Sequence, residues 1–288
     1  MDTLTRAQEA RRDKNLLEPF LSSSKPIRTE SKTCSDCGKV FEAKVWNVQG
    51  REVSAVLCKD CDLRHESERL KTERQAEAAE IEKTNRDHWL RNYGVIGNFR
   101  GKTFDNFESS HQPRAYRAVK SLSGSLVLLS TPGVYGLGKT HLVSALANEL
   151  VKTAPAVGFN KAGYPYSLSC PVFFTTEYNM LARIRATYDH QGETEGQVYM
   201  SLLRPDLLII DDVGKLRPHD LTFIQSVYFR LLDERYVMGK RVILTTNLEA
   251  SALDEYIGGA CSDRLLEMCG KKGIIKMTGT SYRQGVGK

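Results

Sequence analysis

The stretch TPGVYGLGKTHL, Thr131–Leu142, decides the fold. Gly133, Gly138, Lys139 and Thr140 fit the spacing G-x-x-x-x-G-K-[ST]. An apolar run, SLVLLS (125–130), precedes it and a helix-forming stretch follows. That is the strand–loop–helix context in which glycines turn backbone N–H groups toward phosphates and a helix N-terminus adds positive potential. On this reading Gly133, Val134, Tyr135, Gly136, Leu137, Gly138, Lys139, Thr140 and His141 cradle ATP. Lys139 reaches the β- and γ-phosphates, and the Thr140 hydroxyl is a ligand for Mg²⁺.

Outward from the loop, short β-branched runs alternate with amphipathic helical stretches. PVFFTT (171–176), DLLIID (206–211), RVILTT (241–246) and GIIKMT (273–278) read as strands, with helices over 139–152, 177–188, 218–237 and 250–256. Continuous apolar runs fit strands buried on both faces, so the expected class is α/β: a parallel sheet flanked by helices. The Gly-, Pro- and Ser-rich segment 153–170 reads as a surface insertion.

Asp211 and Asp212 close the third strand, where ligands bind in open α/β sheets. Asp211 is placed in the Mg²⁺ shell and Asp212 orients the attacking water. Apart from the loop, the pair would read as a turn cap before Gly214. Asn247, at the next strand tip, can hold the same water, although a strand-end Asn alone is more often a turn residue.

GLGKTHL, LLIIDDVG, VILTTN and SDRLLE, in this order and spacing, resemble an AAA+ ATPase. More narrowly, they resemble the DnaC/DnaI-type replicative helicase loaders and the related IstB-type transposition helper ATPases. The resemblance covers roughly residues 98–288, with GNFRGKTFDNFE (97–108) similar to the segment that leads toward the base-binding side. It implies that Asn247 is the sensor-1 residue and that Arg264 is an arginine finger reaching a neighbour's γ-phosphate, so that hydrolysis requires self-assembly. Without the resemblance, Arg264 reads as a surface salt bridge on a helix. Arg283, in the terminal SYR, is implied as a further phosphate contact, against a solvated basic tail. The last expected strand ends about ten residues before Lys288, which leaves no room for a helical lid domain, a truncation the loaders share. Many AAA+ proteins carry Glu where Asp212 stands, which predicts slow turnover.

TEYNMLARIRATYD (176–189) resembles the loaders' helical insertion. Arg183, Arg185 and Tyr188 can share one side of it, cations and an aromatic suited to single-stranded DNA. Half-exposed arginines are common on any helix, and Tyr188 could equally be core.

A second signal lies upstream. Cys34, Cys37, Cys58 and Cys61 form C-x2-C-x20-C-x2-C, a tetrahedral zinc pattern closed to further ligands. The residues between the pairs alternate about Gln49-Gly50 as a hairpin would. A module this small needs the metal for its folding energy. A zinc ribbon can bind DNA or protein; the resemblance favours docking on a hexameric replicative helicase.

The expected domains are an N-terminal helix and flexible linker (1–33), a zinc ribbon (34–61), a linker helix (62–95) and an AAA+ ATPase domain (96–288). Residues 62–92 carry seven Lys/Arg and eight Asp/Glu, which reads as a solvated spacer. The formal net charge of +6 over 288 residues mildly favours an anionic partner. No run reaches the about 18 apolar residues of a membrane span, and the N-terminus lacks a signal-peptide pattern, so a cytoplasmic protein with no membrane partner is expected. Three functions remain: a helicase loader, a transposition helper that remodels duplex DNA, and a zinc-ribbon adaptor that holds ATP without turning it over. Duplex against single-strand preference separates the first two.

Overall fold

A computed structural model describes residues 25–48, 50–93, 95, 97–189, 192–215 and 221–282. The chain divides into two compact units that meet at Ala76 and Glu77. The expected helix within 1–20 lies outside the described residues. Among the described residues, no helix is long and apolar enough to cross a membrane.

The first unit is built on β1 (Arg28–Thr33), β2 (Val40–Val48) and β3 (Arg51–Ser54), an antiparallel sheet in the order β1-β2-β3. β1 corrects the reading of 21–33 as linker: RTESKT pairs along its whole length, from Arg28 opposite Val45 to Thr33 opposite Val40. Its polar composition hid the strand, because only one face of so small a sheet is covered. Val48 pairs with Arg51 across a tight turn in which Gly50 has φ +82° and donates its N–H to Asn47 Oδ1 at 2.9 Å. The buried cluster here is Cys34, Leu57, Cys58 and Cys61, with Phe41 packed against it.

α1 (Lys59–Asn92) follows, a Gly- and Pro-free helix. Its C-terminal part is no solvated spacer. Trp89 is 1% exposed. Asn85 Nδ2 donates to the carbonyls of Ala156 (2.6 Å) and Leu168 (2.8 Å), and Arg86 donates to those of Val151 and Ala154, both at 2.7 Å. The second unit therefore begins inside the helix rather than at 96.

That unit holds β4 (Leu126–Ser130), β7 (Val172–Thr176), β8 (Leu207–Val213), β9 (Arg241–Thr246) and β10 (Ile274–Met277). They are all parallel, in the order β10-β4-β9-β8-β7. Successive residues feed two separate cores. Leu126, Leu128, Leu207, Ile209 and Ile243 belong to one, and Val127, Leu129, Leu208, Ile210, Val242 and Leu244 to the other. This is why the strands read as unbroken apolar runs.

The first core also receives α2 (Pro113–Lys120) and α3 (Lys139–Thr153). The second receives α4 (Glu177–Ala186), α5 (Glu195–Leu203), α6 (Leu221–Val237), α7 (Ala250–Ile257) and α8 (Gly259–Cys269). α3, α4, α6 and α7 correspond to the expected helices, whereas α2, α5 and α8 were not anticipated. Within 153–170 a small hairpin forms from β5 (Val157–Phe159) and β6 (Pro165–Ser167). Arg235 is fully buried on α6 and donates to the carbonyls of Leu202, Pro205 and Arg241, joining the end of α5 to the start of β9. Burial lowers its pKa to about 10.

Candidate nucleotide site and metal centre

The loop from Thr131 to Gly138 joins the tip of β4 to the first residue of α3. Gly133, Gly136 and Gly138 have φ of +77°, +75° and +91°. Gly138 has a second constraint: a Cβ there would stand 2.6 Å from Phe107 Cε2. The loop is thus seated on the lead-in segment as well as curled toward the helix N-terminus. Leu137 is buried beneath it and Tyr135 is exposed. The His141 side chain turns to the lead-in segment, with Nε2 at 3.0 Å from Thr103 O and 2.8 Å from Asn106 Oδ1, and burial lowers its pKa.

Lys139 is 7% exposed. Its Nζ donates to Ser130 Oγ at 2.8 Å and to Asn247 Oδ1 at 2.7 Å, and Ser130 Oγ donates to the same Asn247 oxygen at 3.0 Å. Burial lowers its pKa to about 8, against the pull of Asp212 and Asp211. One residue on, Thr140 Oγ1 donates to Asp211 Oδ1 at 3.1 Å. Asp211 is 3% exposed, and burial raises its pKa to about 6. A buried lysine beside two strand-end carboxylates has the chemistry to take a phosphate and a hard cation.

The acidic tip is shaped by a bulge. Ile210 pairs with Leu244 and Val213 with Thr246, so Asp211 and Asp212 together face Thr245. Asp212 adopts φ +59°, among described non-glycine residues the one in the left-handed region. Such a conformation costs on the order of 1–3 kcal/mol and is held by its surroundings. Thr245 does the holding: its hydroxyl accepts from Asp212 N at 3.0 Å and donates to Asp211 Oδ1. The Asp212 carboxylate meets Lys215 Nζ at 3.2 Å.

Behind the bulge sits Glu177, the fully buried first residue of α4. It accepts from Gly214 N (2.8 Å), Tyr228 OH (2.6 Å) and Tyr256 OH (3.0 Å), and burial raises its pKa. Sequence reasoning missed Ser130, Thr245 and Glu177. The available signal was their place at or just past the C-terminal tips of β4, β9 and β7, level with the residues already singled out.

Lys139 and Asn247 thus share one hydrogen-bond set through Ser130, and Thr140, Asp211 and Asp212 a second through Thr245; the two are coupled by the charge of Lys139 against the carboxylates. Arg264 is elsewhere, its Nε 2.8 Å from Asp233 Oδ1 and its guanidinium 5.3 Å from the Phe229 ring centroid. Arg283 lies outside the described residues. Its neighbour Tyr282 donates its N–H to the P-loop carbonyl of Gly136 at 3.1 Å and its hydroxyl to Glu108 O at 2.9 Å. Arg183 is committed to Glu193 through two bonds of 2.7 and 2.6 Å and to Ser201 Oγ at 2.8 Å. Arg185 lies 4.7 Å over the Phe223 ring, which Tyr188 meets edge-on at 6.3 Å. Tyr188 is exposed rather than core.

In the first unit the sulfurs of Cys34, Cys37, Cys58 and Cys61 all lie within 4.8 Å of one another, with Cys37 and Cys58 3.7 Å apart. Tetrahedral zinc–thiolate bonds of about 2.3 Å place sulfurs about 3.8 Å apart, so the set fits zinc. Cys34 Sγ accepts the Cys58 N–H at 3.3 Å, and backbone N–H groups of Cys37 and Cys58 hold its thiol down at about 6. Arg64 reaches both Cys61 Sγ (3.3 Å) and Asp36, placing a cation where four thiolates would leave excess negative charge.

Comparisons with known proteins find relatives of this chain. An uncharacterized protein of Escherichia coli K12, YdaV, is 25% identical over 204 residues, covering 67% of this chain and 75% of YdaV. The replicative helicase loader DnaC of the same organism is 22% identical over 152 residues, 53% of this chain and 55% of DnaC, so the chain spans only about half of that relative. A crystal structure of the DnaC helicase loader is similar with a TM-score of 0.47 and 19% identity, covering 64% of this chain and all of that one. A family model described as "IstB-like ATP binding protein" matches residues 101–286. Carrying the P-loop, the acidic strand tip and the parallel sheet within those residues, the chain belongs to the family of IstB-like ATP binding proteins.

Proposed function

We propose that this chain is an ATPase that loads a hexameric replicative helicase onto single-stranded DNA. The observation that carries the ATPase half is the pair of ready-made contacts at the strand tips, Lys139 bonded to Asn247 and Thr140 to Asp211. The helicase half rests on the likeness to DnaC together with a cysteine module upstream of the ATPase unit.

In this reading Lys139 exchanges its bonds to Ser130 and Asn247 for phosphate oxygens, and the N–H groups of the P-loop bind the rest of the phosphate tail. Thr140 and Asp211 would hold Mg²⁺, which when bound supplies charge neutralisation at the β- and γ-phosphates. Asp212 accepts a proton from the attacking water, and its bulged backbone aims it out of the strand line. Asn247 positions that water from the neighbouring tip. Arg264 acts in a neighbouring copy, and to do so it must leave Asp233; hydrolysis would follow assembly. Cys34, Cys37, Cys58 and Cys61 would hold zinc, giving a docking module for the helicase its fold. Arg183, Arg185 and Tyr188 are proposed DNA contacts, of which Arg183 must first exchange Glu193 for phosphate.

The test is co-elution with the host's replicative helicase on a sizing column, with and without ATP, beside a deletion of residues 1–61. A complex that the deletion abolishes supports the loader and assigns docking to the cysteine module. No complex under any nucleotide condition rejects it in favour of the second reading, an IstB-type transposition helper, which the description of the matching family favours. In that case the partner to try is a transposase, and the DNA preferred is duplex.

A further inference from the structure

The insertion between α3 and β7 contributes nothing to the nucleotide site, yet it is built with care. Asn85 Nδ2 ties the carbonyls of Ala156 and Leu168, the two ends of the β5–β6 hairpin, and Leu168 N donates to Ala156 O at 3.1 Å. The turn is equally fixed. Asn160 Oδ1 accepts from Ala162 N (2.9 Å) and Tyr164 N (3.0 Å), while Asn160 N donates to Tyr164 O at 3.0 Å. Such side-chain-to-backbone bonds hold a loop in one shape.

This fixed ribbon displays aromatic rings to solvent. Phe159, Tyr164 and Tyr166 are 56%, 52% and 48% exposed. Gly158 faces Tyr166, and a Cβ at Gly158 would stand 2.8 Å from Tyr166 Cζ, so the missing side chain is what lets the ring lie against the backbone. Alternation along a strand puts Tyr164 and Tyr166 on one face and Phe159 on the other. The hairpin's own stretch of chain carries charge of one sign: from Leu150 to Thr176 there is no Asp or Glu, and the charged residues are Lys152 and Lys161; the Glu82 carboxylate at its root is paired with Arg86. Lys161 lies exposed within the turn itself.

Exposed rings on a rigid ribbon, with a lysine in its turn and no carboxylate of its own, match what single strands need: flat faces for bases and positive charge for phosphates. A partner docking through aliphatic side chains would meet polar residues between the rings, Asn160, Lys161 and Ser167. We propose that the β5–β6 hairpin is a single-stranded nucleic-acid site, with bases stacking on Tyr164, Tyr166 and Phe159 and Lys161 beside the backbone phosphates. This site is separate from Arg183, Arg185 and Tyr188 and requires no helicase.

The experiment is fluorescence anisotropy of a labelled oligothymidylate with the full chain, with and without ATP. Tyr166→Ala weakens binding about tenfold, and the combined Phe159→Ala, Tyr164→Ala and Tyr166→Ala variant about a hundredfold or more. Tyr166→Trp keeps a stacking face and binds as the native chain does. Because none of the three rings belongs to either core, the triple variant stays folded with ATP affinity unchanged. Photo-crosslinking with 5-iododeoxyuridine labels the peptide spanning 157–167. Native affinity in the triple variant, crosslinks confined to other segments, or no oligothymidylate binding by the native chain would each overturn the site. An Arg183→Ala, Arg185→Ala control that loses binding while the hairpin variant keeps it rejects the hairpin and leaves the other DNA contacts standing.

Discussion

The strand tips and the cysteine module are two ways of making a binding site. At the tips, the polar groups already satisfy one another: Lys139 with Asn247 and Ser130, Thr140 and Thr245 with Asp211. The sheet beneath them is buried on both faces, so the scaffold exists whether or not a ligand arrives. The cysteine module has the reverse balance. Among the described residues its buried apolar side chains are Cys34, Ala43, Val45, Leu57, Cys58 and Cys61, with Phe41 alongside, a small core for a three-stranded sheet. One site is an attachment to a fold; the other is the fold.

Metal removal should break this comparison most severely. Structural zinc contributes on the order of 10–16 kcal/mol to small modules. A strong chelator, or Cys58→Ser, is expected to release bound zinc and abolish amide protection across 28–61. The melting transition of the unit from Glu77 onward should stay in place. Protection that survives chelation would mean the module has a core of its own.

Lys139→Ala comes next. Removing a cation aimed at developing phosphate charge costs about a hundred- to a thousandfold in turnover. Steady-state ATPase rates of the assembled protein should fall by that factor. A native protein with no ATPase for the substitution to remove would leave the non-hydrolysing adaptor.

Thr245→Val sharpens the claim that the tip is prebuilt. The shape is nearly kept, but the link between Asp212 N and Asp211 Oδ1 is lost. A stability loss of about 1–3 kcal/mol in urea unfolding is expected, because the Asp212 amide loses its acceptor. kcat should drop about tenfold, less than the loss of about a hundredfold or more that removing the acid–base group itself would cause, with KM for ATP unchanged. Equal losses in kcat and stability-matched surface controls would deny Thr245 any positioning role.

Glu177→Gln has the smallest effect and a definite sign. Burial raises the Glu177 pKa above its ordinary 4.5. Between 4.5 and the raised value the folded chain therefore binds more protons than the unfolded one, so stability falls as pH rises through that window and levels off above it. Gln removes this fall. At neutral pH its amide cannot accept from all three donors, a cost of about 1 kcal/mol. Urea midpoints from pH 4 to 8 would show it, and a slope that persists in the variant would place the titrating group elsewhere.

Arg264 shows where two readings of one residue diverge. Alone it read as a helix salt bridge, and within this chain it is paired with Asp233. The arginine-finger role implied by resemblance requires a second copy, which is why it stands as a proposal.

What contiguous residues encode was legible without coordinates. Apolar runs located β4, β7, β8, β9 and β10; the glycine–lysine spacing located the loop; the cysteine spacing pointed to four sulfurs that the fold does bring together. Each signal depends on local geometry or on a period within one element. The rest needed partners far along the chain. Asn85 and Arg86 bond residues 65 to 83 positions away, turning the end of a polar helix into part of the ATPase unit. Thr245 clamps a bulge on a neighbouring strand 33 positions earlier, and Glu177 accepts from tyrosines 51 and 79 positions on. β1 is polar because a thin sheet covers only one face, and α2, α5 and α8, at 8, 9 and 11 residues, are too short for the apolar spacing they do carry, such as Ala115 with Val119, to stand out from sequence. Sequence carried the elements and the chemistry of single motifs; tertiary structure decided which polar groups hold those motifs in shape, because a hydrogen bond across strands leaves no trace in the spacing of either one.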